Sequence, residues 1–257
     1  MVKTENQKCN LERLRDILLM LPSEPTPKTI EQNRLLVAEI GSPPVIQSII
    51  QEVLADERTL ESIASHSYRH VNHFDKIVLI GNEDPSAYRL TLHLWCPPYT
   101  DAQVCDELIH DHRFSFWSTV LTGTLIAENF EQSELGKTFR QYRYIPEQRS
   151  QSFSDFYEFH GEIKLSKTTI QRTASGVAYY LAAPSIHRIV LPQQGITCTL
   201  VLRGPRLKSY STVYNTGFPS TNTQIDNVMF TSLELSTRLS LLLQSLANKN
   251  DGQQSYK

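Results

Sequence analysis

The chain has 257 residues, with 25 Lys and Arg set against 27 Asp and Glu, for a formal charge of −2 at pH 7. That length can bury a core without disulfide staples, and the balanced charge gives no overall attraction to nucleic acid or to an anionic membrane surface. Apolar residues make up 40%, yet no apolar run nears the ~20 residues of a membrane span, residues 1–6 hold no signal-peptide core, and the four cysteines (9, 96, 105 and 198) form neither a CxxC nor a disulfide framework. The composition therefore points to a cytoplasmic protein with free thiols and no membrane or nucleic-acid partner.

In chain order, residues 1–75 read as a helical segment. Leu11, Leu14, Leu18 and Leu21 recur at helical spacing behind a candidate cap at Asn10. Ile46, Ile49, Ile50, Val53 and Leu54 repeat the pattern after two prolines, and Leu60 with Ile63 marks one more short helix. Residues 76–210 change to period two. Lys76 opens a short apolar run to Ile80, and over 89–95 Leu90, Leu92 and Leu94 face one way while Arg89, Thr91, His93 and Trp95 face the other. Further strands are predicted at 114–130, 138–145, 159–172, 177–182, 187–191 and 196–203. Many short strands with turns between them predict a sandwich or barrel. Residues 211–257 read as a polar loop, to about 226, and then a helix whose inner surface is Leu233, Leu235, Leu239, Leu242, Leu243 and Leu246, with a polar tail.

Eight histidines stand at 66, 70, 73, 93, 110, 112, 160 and 187. His110 and His112 are two residues apart, so on a strand both rings project from one face and can reach one metal. Gly123 follows after a hydrophobic run, and Gly176 precedes the third histidine, His187. His66, His70 and His73 fall at i, i+4 and i+7, which a helix would align on one face. That set reads as a solvated or capping stripe rather than a second metal site.

The spacing of His110, His112 and Gly123, and of Gly176 and His187, resembles the two motifs of the cupin superfamily. The resemblance covers about residues 68–205. The glutamate of the first motif would fall at Phe116 or Trp117, and the Pro-x-Gly turn of the second is replaced by Ala182, Ala183 and Pro184. Within the cupins the chain looks most like cysteine dioxygenase and related thiol dioxygenases, which use three histidines. The Ile109-His110-Asp111-His112 string and the His187-Arg188-Ile189 string carry that likeness. It implies a mainly β, single jelly-roll barrel flanked by helices, with Fe(II) on His110, His112 and His187 and O2 as co-substrate. The crosslinking Cys and Tyr of that family would fall at Trp117 and near Arg203, so no crosslink can form. The family's substrate arginine would fall at Lys76.

Three imidazoles form a neutral set suited to Fe(II), and also to Zn, Ni, Cu or Mn. The uncancelled charge of the ion would draw a small anionic substrate, a carboxylate or amino-acid-like metabolite. Lys76 and Arg203 are candidates for binding it, and His93 for a general base or an orienting partner. Arg89, Trp95 and Trp117 are candidate pocket walls. Glu107 and Glu128 could join the metal if the loops fold differently. The function expected is a mononuclear non-haem iron oxygenase acting as a monomer or homodimer. Its alternatives are a Zn, Mn or Ni isomerase or lyase on the same site, and a non-catalytic ligand-binding barrel.

Overall fold

The computed structural model describes residues 10–145, 157–219 and 228–254, with side chains to 248. Cys9, the first residues, part of the 211–226 loop and the end of the tail lie outside the described residues. Four helices come first: α1 (Asn10–Leu19), α2 (Pro27–Ile40), α3 (Pro43–Ala55) and α4 (Glu57–Ala64). Eleven described strands follow: β1 (Tyr68–Arg69), β2 (Asp75–Ile80), β3 (Arg89–Trp95), β4 (Ile109–His110), β5 (Phe114–Thr122), β6 (Thr124–Tyr144), β7 (Tyr157–Ala174), β8 (Ala178–Leu181), β9 (Ile186–Val190), β10 (Thr197–Arg206) and β11 (Ser211–Asn215). A short α5 (Asp101–Cys105) precedes β4, and α6 (Ser232–Gln254) closes the chain. No described helix is long and apolar enough to cross a membrane.

The strands form two antiparallel sheets, ordered β1-β2-β3-β10-β5-β8 and β11-β4-β9-β6-β7. From β3 to β10 the chain builds the blocks 3-10-5-8 and 4-9-6-7, one in each sheet. That is the strand order of an eight-stranded jelly roll, so the fold is a single cupin-like β-barrel with helices at both ends.

Period-two alternation divides the six-stranded sheet into two faces. Leu90, Leu92, Leu94, Leu200 and Leu202 are fully buried and pack outward against α1–α4 and α6 in the main core. Arg89, Thr91, His93, Trp95, Thr199, Val201 and Arg203 point inward, where the two sheets enclose a cavity of about 1040 Å³. On α6, Leu235, Leu239, Leu242 and Leu246 supply the packed stripe at i, i+4, i+7 and i+11, whereas the expected Leu233 is 76% exposed.

The structure differs from the sequence expectation at five elements. Helix α2 was not visible in the apolar pattern, because its packed positions begin with Thr29 and Asn33 before Val37 and Ile40. Asn33 Nδ2 donates to the Tyr88 hydroxyl (3.2 Å), which donates to Pro22 O. The predicted run 114–130 is broken at Gly123, whose φ of +75° and close approach to Thr197 and the Ile196 carbonyl leave no room for a Cβ. Residues 138–145 are the second half of β6 rather than a separate strand. The loop expected from 211 begins with β11, which pairs with β4 and β6, so the barrel continues past residue 210. Finally, 66–73 is not a helix: α4 ends at Ala64, the chain turns through His66 into β1, and His73 has a φ of 60°.

Candidate metal centre

His110 ends the two-residue strand β4, and His187 is its register partner on β9. His112 lies in the link to β5, where its backbone N–H donates to Ala183 O (3.0 Å). The three rings meet with centroids 4.7–5.0 Å apart. One ring nitrogen from each lies within 4.8 Å of the others.

The hydrogen bonds fix which nitrogens face the centre. His110 Nδ1 lies 2.8 Å from Leu108 O and His187 Nδ1 3.2 Å from Ser185 O. A carbonyl only accepts, so both Nδ1 atoms carry the proton and both Nε2 atoms keep a lone pair. His112 Nε2 and His187 Nε2 are 3.4 Å apart. A cation held at the usual 2.0–2.1 Å from two imidazoles at a tetrahedral angle would separate them by roughly that distance. Burial lowers the proton affinity of all three rings: His110 falls below its ordinary value, His112 falls well below it, and His187 falls to about 3. The donors are therefore neutral, convergent and oriented, which fits a divalent metal.

Neither carboxylate suggested by the sequence joins them. Glu107 bonds the Thr216 N–H and hydroxyl and pairs with Lys137 (3.4 Å). Glu128 sits on the outer face of β6, paired with Arg188 (2.7 Å) and Lys167 (2.9 Å).

His93 lines the cavity, stacked on Phe74 at 4.3 Å, with Thr91 Oγ1 3.3 Å from its Nε2. Burial, with Lys76 as second cause, keeps it well below its ordinary value, so it is a neutral base. Lys76, Arg89, Trp95 and Arg203 also line the cavity. Trp117 does not. Strand parity turns the even positions of β5 inward, so Phe116 packs edge-on against His112 at 5.1 Å, while Trp117 is 1% exposed in the outer core. Its indole N–H donates to Ile30 O of α2 at 2.8 Å. The predicted wall at position 117 is therefore Phe116.

Sequence reasoning missed other lining residues. Asn72 Nδ2 approaches His110 Nε2 at 3.5 Å, and His70 stacks on Phe74 at 4.5 Å. The rings of His70, Phe74, His93 and Trp95 form a continuous ladder. Arg113 and Arg206 join Arg89 and Arg203 at one end of the cavity. His70 was read as part of a solvated or capping stripe and instead lines the cavity, and the others had no local motif to reveal them.

No protein-family model and no curated protein matches the chain. Solved structures do align with it at low similarity. The DMSP lyase DddQ from Ruegeria pomeroyi DSS-3 is 13% identical with a TM-score of 0.31, over 57% of this chain and 53% of that one. The hydroxypropylphosphonic acid epoxidase from S. wedmorenis is 11% identical with a TM-score of 0.31, over 53% of each chain. The pro-11S globulin of pumpkin is 12% identical with a TM-score of 0.31, over 55% and 33%. The chain spans about half the length of the first structures it matches.

Proposed function

We propose that the chain is a metal-dependent enzyme in which His110, His112 and His187 hold one Fe(II), and that it oxidises a small anionic metabolite, a carboxylate or amino-acid-like compound, with dioxygen. The observation that carries this reading is the convergence of three neutral imidazole nitrogens, two of them aimed by backbone carbonyls, on the wall of the cavity between the sheets. Iron held by these three residues would supply the redox chemistry that dioxygen activation needs. Phe114 and Phe116 wall the cavity beside His112 and keep water from that side. Lys76 provides fixed positive charge on the strand next to His93. Burial keeps the His93 ring unprotonated at physiological pH, so it can accept a hydrogen bond from the substrate.

A Lewis-acid lyase or isomerase using Zn, Mn or Ni is the second reading. The unprotonated ring of His93 in the same cavity favours it, because it could hold or relay a proton in a reaction that needs no oxidant.

Metal analysis after anaerobic purification, with O2 uptake recorded in the presence of Fe(II) and pooled metabolites, decides between them. The expected result is one iron per chain, lost in His112→Ala, with metabolite-dependent O2 uptake. One zinc, manganese or nickel without O2 uptake supports the lyase or isomerase. No bound metal under either condition removes both readings.

A further inference from the structure

The cavity has two unlike ends. Along β3 the inward residues run Arg89, Thr91, His93 and Trp95, a span of about 20 Å at ~3.4 Å per residue. Around Trp95 the walls are apolar, with Phe74, Leu125 and Ile189. At the other end Arg89 and Arg203 are register partners on neighbouring strands, both facing inward. Arg206 follows across a bulge opposite Phe114, and Arg113 precedes Phe114.

Arg89 and Arg203, side by side and within the fields of Arg113 and Arg206, repel one another and need a counter-charge. Arg203 is 5% exposed, and the Nε of both Arg89 and Arg203 is buried without a hydrogen-bond partner. Arg203 gives one N–H to Ala87 O (2.8 Å), and its guanidinium lies 5.1 Å over the Phe114 ring. Among the described residues no carboxylate pairs with Arg89 or Arg203 at ion-pair distance. Burial, followed by the fields of Arg89, Arg206 and Arg113, pushes Arg203 down to about 9. Buried charges are ordinarily paired, so two largely buried guanidiniums that line a cavity with no carboxylate on them mark the place of an absent acceptor.

We propose that this end of the cavity is an oxyanion subsite, with Arg89 and Arg203 as its principal donors and Arg113 and Arg206 beside them, built for the phosphoryl or phosphonyl group of a phosphorylated or phosphonate substrate. One carboxylate carries a single charge and is filled by one arginine fork. A tetrahedral dianion brings two charges and three acceptor oxygens, which suits several forks converging from different strands. The subsite is adjacent to the metal centre: the Phe114 ring is 5.4 Å from the His112 ring on one side and 5.1 Å from the Arg203 guanidinium on the other. The assignment deepens the proposed function, resting on it for the reacting end. A substrate anchored by its phosphorus group would present a second functional group to the histidines and turn its apolar part toward Trp95.

The test is calorimetric titration of chelator-treated, metal-free protein at pH 8 and constant ionic strength with inorganic phosphate, methyl phosphate, methylphosphonate and acetate. Saturable 1:1 binding of at least one phosphorus anion is expected, with acetate at least tenfold weaker. Arg89→Gln and Arg203→Gln should each weaken binding at least tenfold, and whichever of methyl phosphate and methylphosphonate binds more tightly names the substrate class. If Arg203→Gln does not fold, Arg89→Gln and Arg203→Lys carry the test. No saturable binding, equal binding of acetate, or unchanged binding in the folded variants overturns the proposal. His112→Ala should bind phosphate as the wild type does, so failure of the metal reading and failure of this one remain distinguishable.

Discussion

His187 shows how one buried ring couples the site to stability. Burial and then the neighbouring His110 hold it at about 3, against an ordinary value of 6.5. Below pH ~6.5 the unfolded chain takes up a proton that the folded chain refuses until about pH 3. The unfolded state binds more protons throughout that window, so stability is greatest above it and declines as pH falls through it. Metal-free protein should show a lower denaturant midpoint at pH 5.5 than at pH 7.5, and His187→Gln should flatten that slope. A wild-type midpoint independent of pH over that range would contradict the burial of a neutral ring. The three-histidine cluster was legible from the sequence because HxH spacing and a glycine-led third histidine survive translation into strands. The arginine group was not. Positions 89, 113, 203 and 206 are distant in sequence, and only the β3–β10 and β10–β5 registers bring them together.

At the scale of elements, the alternation over 89–95 foretold both faces of β3, because a half-polar strand can be buried in only one orientation. Helix α2 escaped the same reading: polar Thr29 and Asn33 sit where an apolar stripe was sought, and their hydrogen bonds, not their hydrophobicity, make them buriable. The two residues of β4 are too few to show any period. The i, i+4, i+7 histidines misled for the opposite reason. The spacing was helical, but the chain had already left α4 for β1. Trp117 shows the force of strand parity, since one step along β5 separates the cavity wall from the helix-facing core. Trp117→Phe removes the indole N–H bond to Ile30 O and should destabilise the fold by about 1–2 kcal/mol, read by denaturant titration. Metal content should remain at the wild-type level. A variant with unchanged stability but reduced metal or anion binding would return Trp117 to the cavity.

For the whole molecule, the helices act as a backing on one side of the barrel. Leu235, Leu239, Leu242 and Leu246 of α6 bury against the same core as α3, α4 and the outer face of the six-stranded sheet, so that among the described residues the helices pack chiefly on that sheet. The chemistry is divided along the same line. His110 and His187 hang from the five-stranded sheet, and Arg89 and Arg203 stand on the six-stranded one. A molecule held by both fastens one leaf of the barrel to the other like a clasp. Metal alone should slow amide exchange in β4 and β9, and phosphate alone in β3 and β10. A compound that reaches both should slow all four strands together, and its departure should then keep pace with the opening of the barrel itself.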